Sequence, residues 1–212
     1  NPSLEAHPLM PEIAKTAEAF PSNVSYRDLY AFRPIRDEQG TRDRPYEMTV
    51  EYDVPAIDAL LARFGAKPWV EDRPRLVIFL AVHHIGNEYV LSSTIDAGDL
   101  QREAFQDAAW RYGLEVVIPA ERMLQQAGLD VASLPQAPLS TLQSLLDASV
   151  GQRPLAGTLN WSRELLGWTS TWRLDHQGTE HRWGADGGNF DAAFRLAVGG
   201  AAQILSGNGT SD

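Results

Sequence analysis

The chain has 212 residues, of which 43% are hydrophobic and six are tryptophan, so it is long and apolar enough to bury a substantial core. Its 18 basic and 28 acidic residues give a formal net charge of −10, which argues against nucleic-acid binding and against attachment to an anionic membrane surface. Cysteine is absent, which excludes disulfides, thiol nucleophiles and thiolate metal sites. The chain contains no apolar run of about 18 residues, so no membrane-spanning segment is predicted.

The first third of the chain predicts a small α/β unit. Apolar residues at helical spacing predict a helix within residues 4–20, and residues 24–32 favour a strand. Residues 46–52 alternate apolar and polar side chains, which is the pattern of a strand with one face in water. Asp53 is placed to cap the amphipathic helix that the spacing predicts over residues 55–65.

The most concentrated apolar segment of the chain is Leu76–Val82. Its apolar residues do not alternate with polar ones, so both faces must be covered, as in a central strand flanked by helices. Pro74 before it and His83–Asn87 after it limit the segment to the length of a strand. Its six large side chains carry roughly 10 kcal/mol of transfer free energy, so we expect the fold to form around this strand.

The next segments predict a strand, a helix and a strand. Residues 85–90 have the pattern of a hairpin, and residues 99–112 that of a helix capped by Asp96 or Asp99. Residues 114–118 form a second apolar strand. The central strand, this helix and the second apolar strand follow in an order that predicts a parallel pair joined by a right-handed crossover.

The last part of the chain predicts a helix, an antiparallel meander and a final helix. Ser140 and Gln143 have the spacing of a capping box for the first of these helices, over residues 140–150. The meander strands fall at residues 155–160, 167–174 and 180–183, and the final helix at 189–205.

The predicted fold class is therefore α/β. It contains a mixed sheet with a central parallel strand pair and a carboxyl-terminal antiparallel meander, and it has helices on both faces of the sheet. We expect two parts: a small amino-terminal α/β unit over residues 1–70, with a truncated start, and a main α/β domain over residues 71–212.

One candidate site lies at the carboxyl end of the central strand, where open α/β sheets tend to bind ligands. His83 and His84 stand there, and Glu88 and Asp96 are near enough in sequence to add carboxylates. Neighbouring side chains on a strand point to opposite faces, so the two imidazoles cannot share one metal ion unless the backbone bends. The alternative is one half-buried and one exposed histidine beside a turn.

A second candidate site lies in the meander, which is rich in tryptophan. Trp168 and Trp172 are four residues apart on one strand and therefore share a face, as a stacking platform for a sugar or a peptide would require, and Trp183 is close to them in the meander. The alternative is that these indoles pack between the sheet and its helices.

Several landmarks follow one another in a characteristic order along the chain. They are the alternating strand that leads into residues 55–61, Trp69, residues 73–82, the turn at 111–114, and Gly157, Trp168, Trp172 and Trp183 in the meander. Over most of residues 20–205 this order resembles a family of bacterial envelope proteins, domain of unknown function two thousand and sixty-six. Its members usually begin with a secretory leader and a further α/β segment, and this chain opens at Asn1-Pro2, which predicts a cut start.

The resemblance implies a setting and not a reaction, because the family has no established activity. Its order of elements is similar to the TolB amino-terminal and CsgG-like domains, which act as protein-binding or assembly modules. The resemblance therefore implies a periplasmic or cell-envelope location and an envelope protein or glycan as partner.

From these observations we predict a non-catalytic accessory or interaction domain, with no catalytic residue, metal ligand or cofactor assigned. Two alternatives stay open. One is a metal-dependent or hydrolytic enzyme with its site at His83 and His84, and the other is a glycan-binding module that uses Trp168 and Trp172.

Overall fold

The computed structural model describes residues 7–28, 46–94 and 97–208, and the chain divides into two compact units, Asn1–Trp69 and Val70–Asp212. In the first unit, an antiparallel ribbon of two strands lies between two helices in the chain order. Its elements are helix α1 (Met10–Lys15), a 3₁₀ turn (Ala17–Ala19), strands β1 (Pro21–Asp28) and β2 (Tyr46–Tyr52), and helix α2 (Val54–Arg63).

The ribbon of β1 and β2 has one polar and one apolar face. On the polar face Arg27 and Glu47 stand opposite each other and form an ion pair at 2.5 Å. The large side chains of the ribbon that are 43–67% exposed are Val24, Tyr26, Tyr46, Met48 and Tyr52. After the ribbon, the carboxylate of Asp53 accepts a hydrogen bond from the Ala56 N–H at 3.2 Å, which is the cap predicted for α2.

The second unit is built on a six-stranded sheet in the order β4-β3-β6-β7-β8, with β5 beside β3. Strand β3 is parallel to β5 and β6, and the pairs β6-β7 and β7-β8 are antiparallel. The strands are β3 (Arg75–His84), β4 (Asn87–Val90), β5 (Glu115–Val117), β6 (Gln152–Ser162), β7 (Gly167–His176) and β8 (Thr179–Gly188). The predicted fold class is confirmed.

Helices cover the sheet on both faces. They are α3 (Asp99–Arg111), α4 (Glu121–Gln126), α5 (Leu139–Ser144) and α6 (Phe190–Ser206), with 3₁₀ turns at Leu134–Gln136 and Ala148–Val150. None of the helices in the described part of the chain is long and apolar enough to cross a bilayer.

Strand β3 is buried on both sides, as its unbroken apolar run predicts. Its even-numbered residues, such as Leu80, face the side of the sheet that packs against α3 and α6. Its odd-numbered residues, such as Phe79, pack with α4, α5 and the 3₁₀ turn at Leu134–Gln136. Every side chain of Leu76–Val82 is at most 2% exposed, so this strand is the centre of the core.

One row of side chains crosses the sheet under α3 and α6: Leu80, Gly157, Trp172 and Trp183. A Cβ atom on Gly157 would lie 2.3 Å from the Trp172 ring, so only glycine leaves room for this indole. Gly200 in α6 has the same role for Trp183, whose Nε1 donates to the Leu196 carbonyl at 3.1 Å. The glycines therefore leave room for large aromatic rings between sheet and helix.

Two predicted helix caps are not formed. The residue before α3 is Gly98, with φ of 92°, while Asp99 begins the helix and pairs with Arg102. Asp96 lies outside the described residues. The capping box of Ser140 and Gln143 is also wrong, because Gln143 donates instead to the Gln152 carbonyl at 3.1 Å. The helix itself is shorter than predicted, since α5 ends at Ser144.

The meander strands are longer than the sequence predicts. Strand β6 begins at Gln152 because its first residues already pair with Arg75 and Leu76 of β3. Strand β8 continues past Trp183 to Gly188, with a bulge between the pairs that β7 residues Ser170 and Trp168 make with Ala185 and Gly188. Glycine-rich sequence disfavours a strand locally, but hydrogen bonding to β7 maintains it here.

We expect Gly157→Ala to lower the free energy of unfolding by about 2 kcal/mol, because the added methyl group overlaps the buried Trp172 ring. Urea denaturation followed by near-ultraviolet circular dichroism measures this loss. Gly188→Ala is the matched control, since its Cβ would meet only the Ala192 Cβ at 3.9 Å. Equal losses in the two variants would contradict this account.

Candidate functional site

The last two residues of β3 are His83 and His84, and they point to opposite faces of the sheet. The His83 Nδ1 atom lies 3.2 Å from Glu88 Oε1, on the residue directly opposite in β4. The His84 ring stacks on Trp168 of β7, with centroids 5.2 Å apart and planes at 27°. The structure therefore joins His83 to Glu88 and separates His84 from both.

His83 and His84 therefore do not form the shared metal site that the enzyme alternative requires. Within residues 7–28, 46–94 and 97–208, no group of three or more His, Asp or Glu side chains could hold a metal ion. Asp96 lies outside those ranges. The His83 and Glu88 side chains are 34% and 63% exposed, so their pairing contributes at most about 1 kcal/mol.

The four-residue spacing of Trp168 and Trp172 does place them on one face, but they do not form a platform. Trp172 is completely buried; its ring contacts Phe105 and Phe194 edge-on, and its Nε1 donates to Ser170 Oγ at 3.1 Å. The helices α3 and α6 cover that end of the face, so no ligand can reach this indole. The half-buried Trp183 packs against Gly200 under α6.

Trp168 instead belongs to a cluster of three rings at the carboxyl end of β3. Its ring meets Trp161 edge-on at 5.4 Å, and Trp161 also contacts His84 at 5.8 Å. Trp161 was not among the residues predicted from the sequence. Its role depends on the register of the β6-β7 hairpin, which sets Trp161 opposite Trp168, and a single sequence does not fix that register.

Two hairpins end beside this ring cluster, because β3 and β6 are parallel neighbours. The β3-β4 turn presents Ile85, which is 52% exposed, and the β6-β7 turn presents Leu165 and Leu166, at 50% and 79%. We call these three residues together with the three rings the tip surface. It consists of His84, Ile85, Trp161, Leu165, Leu166 and Trp168.

Leu166 has an unusual backbone for its residue type. Its φ is 47°, and Gln177 in the β7-β8 turn, with φ of 54°, is the other non-glycine residue of the described segments with a positive φ. An L-residue in this region costs about 1–2 kcal/mol, and glycine or asparagine is the usual choice there. Because Leu166 is so exposed, packing within the fold does not offset that cost.

Comparisons of the chain with protein-family models, curated proteins and solved structures found no match.

We expect Leu166→Asn to raise the free energy of unfolding by about 1 kcal/mol, since asparagine tolerates a positive φ and little burial is lost. Gln177→Asn should give a similar gain at the turn of the β7-β8 hairpin. Chemical denaturation of both variants beside the unaltered protein measures the effect. A loss of stability in Leu166→Asn alone would show that the leucine packs within the fold.

Proposed function

We propose that the protein is a non-catalytic interaction domain of the bacterial cell envelope that binds a partner protein through the tip surface. The observation that carries the proposal is an aromatic cluster, only half-covered, that continues into exposed aliphatic side chains on two adjacent hairpin turns. Exposed apolar groups gathered in one place mark interaction sites more often than scattered ones do.

The composition of the tip surface favours a protein over a glycan. Tryptophan and large aliphatic side chains without charge form the centre of protein interfaces, and polar residues form the rim. Here Arg163 and Glu164 are exposed in the same turn as Leu165 and Leu166, in the position of such a rim. A glycan platform would need a second accessible indole beside Trp168, and Trp172 is buried.

The backbone of Leu166 supports the same function. A leucine held at positive φ and 79% exposed costs stability and contributes little to the fold. Backbone strain of this kind concentrates at binding sites, where the side chain acts on a partner. An apolar partner surface that covers Leu166 would recover the free energy that the fold does not.

The envelope setting rests on the resemblance of residues 55–61 and 73–82 to the envelope family. Fractionation of the bacterium that carries the gene tests this part directly. Recovery of the chain with the periplasmic or membrane fractions is the expected result, and recovery with the cytosolic fraction would contradict the proposed setting.

Site-specific photo-crosslinking in that bacterium tests the tip surface. A benzoyl-phenylalanine at position 166 should yield a discrete adduct with one protein, identified by mass spectrometry, because the side chain would lie inside the interface. The same probe at position 177 is the control, since it occupies the corresponding strained position at the β7-β8 turn. Identical adducts at both positions, or none at 166, would contradict the proposal.

With the partner purified, we expect Leu166→Asn to weaken binding about tenfold or more, the effect of removing a central apolar contact. Gln177→Asn should leave the affinity unchanged, although it also places an asparagine at a residue with positive φ. Calorimetric titration measures both. Binding of cell-wall oligosaccharides that quenches Trp168 fluorescence, with no protein adduct, would favour the glycan alternative instead.

A further inference from the structure

The face of the sheet that packs against α4 and α5 is apolar at one side and polar at the other. Two rows of neighbouring residues cross it. They are Phe79, Ala156, Arg173 and Arg182 in the first row, and Ala81, Thr158, Thr171 and Gly184 in the second. Phe79, Ala156 and Ala81 belong to the buried core under the helices. The other residues lie beyond that core, on β6, β7 and β8.

A cavity of about 440 Å³ opens over this polar part. We call it the arginine groove. Its lining includes Pro135, Gln136, Thr158, Thr171, Arg173 and Arg182. A volume of this size accepts a small organic molecule or the end of a peptide and exceeds what a single inorganic ion needs.

Arg173 forms the floor of the arginine groove at its buried side. The residue is only 9% exposed, and its Nη2 donates to the Ala137 carbonyl at 3.1 Å and to that of Leu134 at 3.5 Å. No carboxylate in the described part of the chain forms an ion pair with it. Buried cations are normally paired, so Arg173 has hydrogen-bonding capacity and charge that the fold does not use.

The second arginine stands directly opposite the first. Arg173 of β7 and Arg182 of β8 are cross-strand partners, and like charges in that arrangement destabilise a sheet. Burial lowers the pKa of Arg173, the nearby Glu180 raises it, and Arg182 lowers it further. Glu180 itself pairs with Arg182 at 2.5 Å, and its cross-strand partner Asp175 adds a second carboxylate to this face, but neither forms an ion pair with Arg173.

Hydroxyl groups extend the polar lining from the two arginines. Thr158 Oγ1 and Thr171 Oγ1 lie 2.7 Å apart across the β6-β7 pair, and Asn160 Nδ2 donates to Thr158 at 3.5 Å. Thr171 is exposed, so its hydroxyl is accessible to a bound molecule. These groups supply neutral donors and acceptors beside the charged ones.

The wall of the arginine groove opposite the strands is held in shape. The Asp130 carboxylate accepts from Ser133 Oγ at 2.7 Å and from the N–H groups of Ser133 and Ala132, and these hydrogen bonds lower its pKa. This turn fixes the chain just before Leu134 and Ala137, whose carbonyl groups accept hydrogen bonds from Arg173. The groove is therefore preformed rather than assembled on binding.

We propose that the arginine groove binds a carboxylate group, either of a small organic acid or of a peptide carboxyl terminus, between Arg173 and Arg182. Guanidinium groups match the planar carboxylate in bidentate hydrogen bonds. Arg173 forms no ion pair in the described part of the chain, so its guanidinium can pair with one added carboxylate, and the chain's net charge of −10 disfavours ligands with several negative charges. This site is separate from the tip surface, because Arg173 and Trp168 point to opposite faces of β7.

Nuclear magnetic resonance titration at constant ionic strength tests the proposal, with arginine Nε–Hε and threonine methyl signals as reporters. The probes are acetate, trialanine with a free carboxyl terminus, trialanine amide and inorganic phosphate. We expect saturable shifts of the Arg173, Arg182 and Thr171 signals with acetate and free trialanine, and none with the amide. Tighter binding of trialanine than of acetate identifies a peptide terminus as the ligand, and equal binding identifies a small organic acid.

Exposed side chains supply variants that keep the fold. Arg182→Gln should weaken carboxylate binding about tenfold or more, because it removes a charge-assisted hydrogen bond. Arg153→Gln, which replaces an exposed arginine at the start of β6, is the matched control and should bind as the unaltered chain does. Arg182→Gln should also leave the photo-crosslink at position 166 unchanged.

Any one of several results would overturn the proposal. They are the absence of saturable shifts, equal binding of the amide, phosphate binding as tight as acetate binding, and unchanged affinity in Arg182→Gln. An equal loss in Arg153→Gln would do the same, since it would assign the effect to the net charge rather than to the arginine groove.

Discussion

The structure depends on the burial of one strand on both of its faces. On one side of the sheet α3 and α6 pack against each other and over β5, β7 and β8, and the row from Leu80 to Trp183 lies beneath them. Gly157 lets the Trp172 ring lie against the strand, and Gly200 lets Trp183 lie against α6. Small residues beside large rings therefore set the distance between the sheet and these two helices.

Much of this architecture was predictable because its signals are local. The unbroken apolar run of β3, the alternation in β2 and the spacing of α6 each specify their element without knowledge of the others. The ends of β6 and β8 were not predictable, since Gln152 and Gly188 join their strands only through hydrogen bonds to neighbours. The cap of α3 was not predictable either, and neither was the partner of Gln143, whose side chain donates to the Gln152 carbonyl rather than to the start of its own helix.

The candidate sites show the same division. Alternation along a strand was enough to predict that His83 and His84 diverge, and that Trp168 and Trp172 share a face. It could not predict that helices cover one end of that face and leave the other half-open, which separates Trp172 from Trp168. Trp161, Leu166 and the pair of Arg173 with Arg182 all depend on register between strands. Register is a property of the assembled sheet.

The parallel pairing of β3 with β6 also has a consequence in time. The β6 partner of β3 lies on the order of eighty residues further along the chain, so this pair closes a long loop before it gains any contact, which slows folding. The hairpins from β6 to β8 are local and form much faster. During synthesis the most apolar segment of the protein therefore leaves the ribosome well before β6 exists. Until then only the short strands β4 and β5 can pair with it, so it is the segment of this chain most in need of a chaperone.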